Sequence, residues 1–151
     1  MNTEFKNQIR TSIKVNALPD AIMPFFFEKE KADLWMQTYS TTVELIEGTW
    51  GTLGAKMRAS FYTPLGIVIN QELVELTKER AILKTSGFFE GEEHFILDRK
   101  ENFTIIYDFF FYNYRGSKWL EPIWFLFGIH FGKKDMENHL LLIKKAVEQN
   151  K

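Results

Sequence analysis

The sequence predicts an α+β fold in which a seven-stranded antiparallel sheet packs against one long C-terminal helix. Three observations carry this expectation. Residues 9–15 alternate Ile9, Thr11, Ile13 and Val15 with Arg10, Ser12 and Lys14, the period-two pattern of a half-buried strand. Further strand-like runs with short turns between them fill 40–113, and short connections between successive strands mean antiparallel pairing. Near the C-terminus, Met136, Leu140, Ile143 and Val147 fall on one helical stripe, which Leu142 and Ala146 widen, while Lys144, Lys145 and Glu148 face away. Such a helix needs an apolar partner surface, and a sheet is what the rest of the chain offers.

Taken in order, the first strand is followed by NALPDAIMPFFFEKE. Pro19 suits the first position of a helix and Asp20 its first turn. Pro24 cannot continue a regular helix, so this element is short. A second short helix is expected over 30–37, burying Leu34 and Trp35. The next strands are expected at 40–47, 53–62, 66–76, 80–87, 88–97 and 103–113. Gly48, Gly51, Pro64–Gly66, Lys78–Glu79 and Asp98–Asn102 punctuate them. Ile123 to Phe131, just before the amphipathic stretch, is apolar nearly all round and reads as buried helix. Gly128 and Gly132 weaken a helix interior. A straight helix over 122–149 would be about 42 Å long, against about 30 Å for the diameter of a small domain. A bend or break is therefore expected near Gly128–Gly132. No internal repeat, low-complexity tract or linker interrupts the chain, so 1–151 reads as a single domain.

Composition narrows the function classes. The chain has 151 residues, enough for one well-formed core. Its aromatic fraction is 16%, with 15 phenylalanines, which implies a bulky core or one that wraps a cavity. A net charge of −1 argues against a broad nucleic-acid footprint. With no cysteine there are no disulfides, thiolate metal sites or cysteine nucleophiles. The N-terminal MNTEFKNQIR lacks an apolar core of signal-peptide length. The run Ile123–Ile129 is far short of the roughly 20 residues that span a bilayer. A cytoplasmic protein without a membrane span is expected.

Several stretches resemble a known family. Lys14–Val15–Asn16–Ala17–Leu18–Pro19–Asp20–Ala21–Ile22 resembles the opening of the polyketide cyclase/dehydrase-like group of the START-like, birch-pollen-allergen-like (SRPBCC) superfamily. Trp35 matches its tryptophan after the second helix. Val43–Gly48 followed by Leu53–Arg58 resembles its second hairpin, and Leu97 with Thr104–Ile105–Ile106–Tyr107 its last. The resemblance covers nearly the whole chain and carries no catalytic signature. It implies the helix-grip fold, a curved sheet gripping the C-terminal helix with a cavity for apolar ligands between them. Members bind lipids, sterols or polyketides, act as cyclases or ring-hydroxylase subunits, or activate a heat-shock chaperone.

Candidate site residues follow from chemistry and from this resemblance. Asp108 stands among aromatics in NFTIIYDFFFYNYRG; facing a cavity, it would lose hydration and become an acid or base. Thr104, Ile106, Asp108, Phe110 and Tyr112 share one strand face, and Phe103, Ile105, Tyr107, Phe109 and Phe111 the other. Both sets are apolar, so periodicity does not choose; the family's Thr-x-Val pattern favours the first set inside. That leaves an aromatic outer face suited to a homodimer or partner contact. His130 lies in the apolar helix and is the second catalytic candidate, with a backbone-satisfied buried histidine as its plainer role. His139, beside the apolar stripe, reads as solvent-facing or as helix-edge packing. Glu90, Glu92, Glu93 and His94 read as an acidic, solvated strand face. Glu92 and His94 share a face but lack a third ligand, so no metal site is expected. Trp35, Met57, Trp119 and Trp124 suit cavity walls, with plain core packing as the more ordinary role of each. The ligand-binding set is Trp35, Met57, Tyr62, Phe110, Tyr112, Trp124, Phe125, Phe127, Met136 and Leu140, in which the tyrosines would orient a ligand. Arg58 shares a face with Lys56 and reads as outward.

Three functions remain open. One is a module holding a small hydrophobic or amphipathic molecule. The second is a cyclase- or dehydratase-like enzyme acting through Asp108, His130 or a cavity tyrosine. The third is an interaction or chaperone-regulating protein. None of the three calls for a cofactor.

Overall fold

The computed structural model describes residues 5–38, 40–62 and 66–150. Its strands are β1 (Asn7–Val15), β2 (Thr41–Glu47), β3 (Lys56–Phe61), β4 (Val68–Leu76), β5 (Arg80–Gly87), β6 (Phe89–Arg99) and β7 (Thr104–Tyr114). They form one antiparallel sheet in the order β1-β7-β6-β5-β4-β3-β2. The turn expected at Pro64–Gly66 falls largely outside the described residues. Three short helices follow β1: α1 (Pro19–Ile22), α2 (Pro24–Phe27) and α3 (Lys29–Met36). The first expected helix is thus two single turns, divided at Pro24, which has no N–H to carry a helix onward. The Trp35 indole Nε1 donates to the Phe25 carbonyl at 2.7 Å and ties α3 to α2. Leu34 is exposed while Ala32, Trp35 and Met36 are buried. Ala32, Trp35 and Met36 stand at i, i+3 and i+4 and make one stripe, and Leu34 falls outside it.

The C-terminal run consists of α4 (Glu121–Ile123), a π-helical turn (Trp124–Gly128) and α5 (Ile129–Gln149). Met136, Leu140, Ile143 and Val147 are all buried, as the stripe requires. The break expected near Gly128–Gly132 takes the form of the π turn just before it, and α5 runs on through Gly132. Gly128 is needed there because a Cβ would overlap the Trp124 ring. The expected burial of the whole Ile123–Phe131 segment does not occur. Trp124 and Gly128 are buried, whereas Ile123, Phe125, Leu126, Phe127 and Phe131 are exposed. A helix on one sheet buries a single stripe, and all-round apolarity does not supply a second partner.

On β7, Thr104, Ile106, Asp108, Phe110 and Tyr112 are buried and face the helix side. Thr104 Oγ1 donates to the Ala17 carbonyl at 2.7 Å and fixes the chain as it leaves β1. The opposite face carries half-buried Tyr107, Phe109 and Phe111, stacked at 5.9 and 6.1 Å. The Arg10 guanidinium lies over the first two rings, at 5.6 and 5.2 Å. Among the described residues no helix is long and apolar enough to cross a membrane.

Candidate functional site: a cavity between sheet and helix

A cavity of about 600 Å³ lies between the sheet and the C-terminal run, a volume typical of small-molecule pockets. Its apolar walls include Ile9, Trp35, Ile69, Phe89, Phe95 and Phe110, with Trp124, Gly128 and Met136 opposite. Phe127, Phe131 and Tyr62 line it while remaining exposed, and so mark its mouth. Trp124 is fixed from behind: its Nε1 donates to the Tyr112 hydroxyl at 3.1 Å, and its ring lies 4.7 Å from Phe89. A second void of about 30 Å³, beside Met57 and Trp35, has room for no more than a water-sized occupant.

Polar groups gather on two walls. On the sheet, Gln71 Nε2 donates to Glu93 Oε2 at 2.6 Å. Burial pushes the Glu93 carboxyl up to about 7; the Gln71 hydrogen bond acts against this, and the charge of Asp135 adds to it. Asp108 is fully buried one step along the β6–β7 ladder, where Glu93 pairs with Phe110 and Phe95 with Asp108. Burial, and after it the charge of Glu93, hold the Asp108 carboxyl well above the usual carboxylate range. Its Oδ1 accepts no hydrogen bond among the described residues. On the helix, Asp135 and His139 sit one turn apart, with Oδ2 and Nδ1 separated by 3.7 Å. Burial raises Asp135 against the pull of His139, and lowers His139 against the pull of Asp135. Both shifts disfavour the charged forms. The Trp35 ring packs edge-on against His139 at 5.9 Å.

Among solved structures, the chain resembles KanY with a TM-score of 0.76, at 11% identity over 94% of this chain and 97% of that one. It also resembles norcoclaurine synthase from Thalictrum flavum, solved as a point mutant in complex with a transition-state analogue. That match has a TM-score of 0.73 at 11% identity and covers 95% of each chain. The Aha1 dimer from Colwellia psychrerythraea matches with a TM-score of 0.64 at 14% identity, over 94% of this chain and 96% of that one. The chain has the helix-grip fold, a curved antiparallel sheet against a long C-terminal helix. No protein-family model matches it, and no curated protein matches it in sequence. At these identities the likeness establishes the fold alone.

Within the helix-grip frame the sequence-predicted residues separate into groups. Trp35, Phe110, Trp124, Phe127 and Met136 line the cavity, and Tyr62 stands at its mouth. Asp108, Tyr112 and Leu140 are buried but do not line it; Met57 lines the smaller void. Phe125 is turned away, against Tyr114 at 6.4 Å. His130 is exposed and does not line the cavity, so the buried setting expected for it is corrected. It lies in a helix that meets the sheet along one stripe, and that stripe passes through Trp124, Gly128 and Met136. Trp119 is exposed and lines neither void. Glu92 and His94 bond to each other at 2.8 Å on the outer face. Among the described residues no group of three His, Asp or Glu side chains is placed to hold a metal.

Glu93, Gln71, Asp135 and His139 were not expected in the cavity. In sequence, Glu93 reads with Glu90, Glu92 and His94 as a solvated face. Strand parity separates it from them: Phe89, Gly91, Phe95 and Leu97 are its same-face neighbours, and all four are buried.

Proposed function

We propose that the chain is a cytoplasmic, single-domain binding protein for one small hydrophobic or amphipathic molecule, of lipid, sterol or polyketide-like type, held between sheet and helix. The supporting observation is the 600 Å³ cavity with apolar walls and a few convergent polar groups. Trp35, Phe110, Trp124, Phe127 and Met136 are its wall contacts and Tyr62 is at its entrance. Tyr112 holds the Trp124 wall from behind. The test is displacement of an apolar fluorescent probe by sterols, aliphatic lipids and aromatic polyketides, with native mass spectrometry of the purified protein for a retained ligand. Absence of both probe binding and a retained ligand overturns the reading.

A second reading is a cyclase- or dehydratase-type enzyme. Glu93, whose carboxyl titrates at about 7, supports it, because a general acid or base works best near the operating pH. In that reading Glu93 carries the proton transfer, and Asp108 acts through it. Turnover that survives Glu93→Gln would remove it. Exposed Leu126, Phe127 and Phe131 also favour self-association, which sedimentation equilibrium would test.

A further inference from the structure

We infer that the cavity's occupant carries a positively charged amine on an apolar body, with its ammonium group seated between Glu93 of the sheet and Asp135 of the helix. This rests on the reading of the cavity as a binding site and names the chemical class of what it holds.

Two carboxylates approach the same space from opposite walls, Glu93 on β6 and Asp135 on α5. A third, Asp108, is fully buried on the neighbouring strand, and its Oδ1 is without a donor among the described residues. The groups facing Glu93 are Gln71 from β4, Asp108 from β7, and Asp135 and His139 from α5. Gln71 supplies one hydrogen bond, to one carboxylate oxygen. Among the described lining residues the only Lys or Arg is Lys134, which is exposed on the helix. The interior is therefore rich in acceptors and poor in cations. Desolvation resists charge on every carboxylate there, and the carboxylates repel one another. An ammonium group supplies what is missing: three donors and one positive charge. The aromatic rings of Trp35, Phe110 and Trp124 suit both an apolar body and a nearby cation. An anionic ligand would instead bring a further negative charge into the same space, so the cavity selects against fatty-acid-like carboxylates.

The experiment titrates the full chain with phenylbutylamine, phenylbutanol and phenylbutyrate at pH 8 by calorimetry. These probes share one apolar body and differ in head group. The amine is expected to bind tightest and the carboxylate weakest. Glu93→Gln and Asp135→Asn are each expected to weaken the amine by about tenfold or more, since each removes one of the two charges that face the ammonium group. Both should weaken the alcohol far less than the amine, because a hydroxyl has no charge to lose a partner, and retained alcohol binding shows that the cavity is intact. Because Glu93→Gln removes a buried charge without changing shape, it should fold at least as well as the parent. Amine binding should also release a proton near neutral pH, read as a dependence of the observed heat on buffer ionisation. Phenylbutyrate binding as tightly as the amine, or an amine affinity unmoved by both variants, overturns the inference while leaving the cavity a binding site. Failure of all three probes to bind overturns the binding reading and this inference with it.

Discussion

Gln71 on β4 donates a 2.6 Å hydrogen bond to Glu93 on β6, reaching across the intervening strand β5. One amide donor does not replace the water that a carboxylate loses on burial. The rest of the deficit appears as an upward shift of the Glu93 carboxyl to about 7.

Stability should therefore fall as pH rises. The sign follows from linkage: a folded pKa above the unfolded one makes ionisation oppose folding. The Glu93 contribution is fully present below the unfolded-chain value of 4.5 and is lost as pH rises through about 7. At full size the effect is about 3 kcal/mol, from roughly 1.4 kcal/mol per pKa unit. Denaturant unfolding of the parent and Glu93→Gln at several pH values checks this. The variant should lose the Glu93 part of the slope and keep a part from Asp108 and Asp135, whose carboxyls burial also raises. An identical slope in both proteins would assign the effect to another group.

Asp108→Asn should leave the fold intact or stabilise it. The parent side chain is fully buried and has a carboxyl oxygen without a donor among the described residues, so removing its charge removes a desolvation cost. Carbon-13 NMR of the parent should show the Asp108 carboxyl titrating well above the usual range, because of burial and then Glu93. Titration near 4 would contradict the buried setting.

Leu140→Ala should destabilise by about 2–5 kcal/mol, the cost of emptying a buried leucine site. Leu140 is 1% exposed on the α5 stripe and does not line the cavity. Ligand affinity should therefore change little while the unfolding midpoint drops. A loss under half a kcal/mol would mean that the stripe is not packed.

Much of this architecture was readable from periodicity. Ile9, Thr11 and Val15 on β1, and the Met136–Val147 stripe on α5, placed the two layers against each other because burial repeats at the period of the element. Strand parity could not choose a face for β7, where both are aromatic; packing against the helix decides it, and puts Asp108 inside. The polar half of the cavity was harder to read. Glu93 looks solvated beside Glu90 and Glu92, and its partners Gln71 and Asp135 come from distant parts of the chain. Local sequence also says nothing of how much of an apolar helix a single sheet can cover. That is why Phe127, His130 and Phe131 are exposed, although their segment reads as buried.

The two helix glycines should respond in opposite ways to alanine. In an exposed helix interior this change gains about 1 kcal/mol through propensity. At Gly132 the new Cβ would lie 3.4 Å from Ile9 Cδ1 and from Trp124 Cη2, an ordinary contact. Gly132→Ala should therefore be neutral or mildly stabilising. At Gly128 the new Cβ would overlap Trp124 Cε3, in the body of a rigid ring. That ring has little freedom to move away, because it is hydrogen-bonded to Tyr112 and packed on Phe89. Forcing a methyl group into such packing costs about 1–3 kcal/mol, enough to cancel or exceed the propensity gain. Gly128→Ala should be the less stable variant, with an altered near-UV signal from Trp124 and weaker probe binding, since Trp124 forms part of the cavity wall. Equal unfolding midpoints for the two variants would show that the Trp124 ring is free to move, and that Gly128 is not what lets it pack against the π turn.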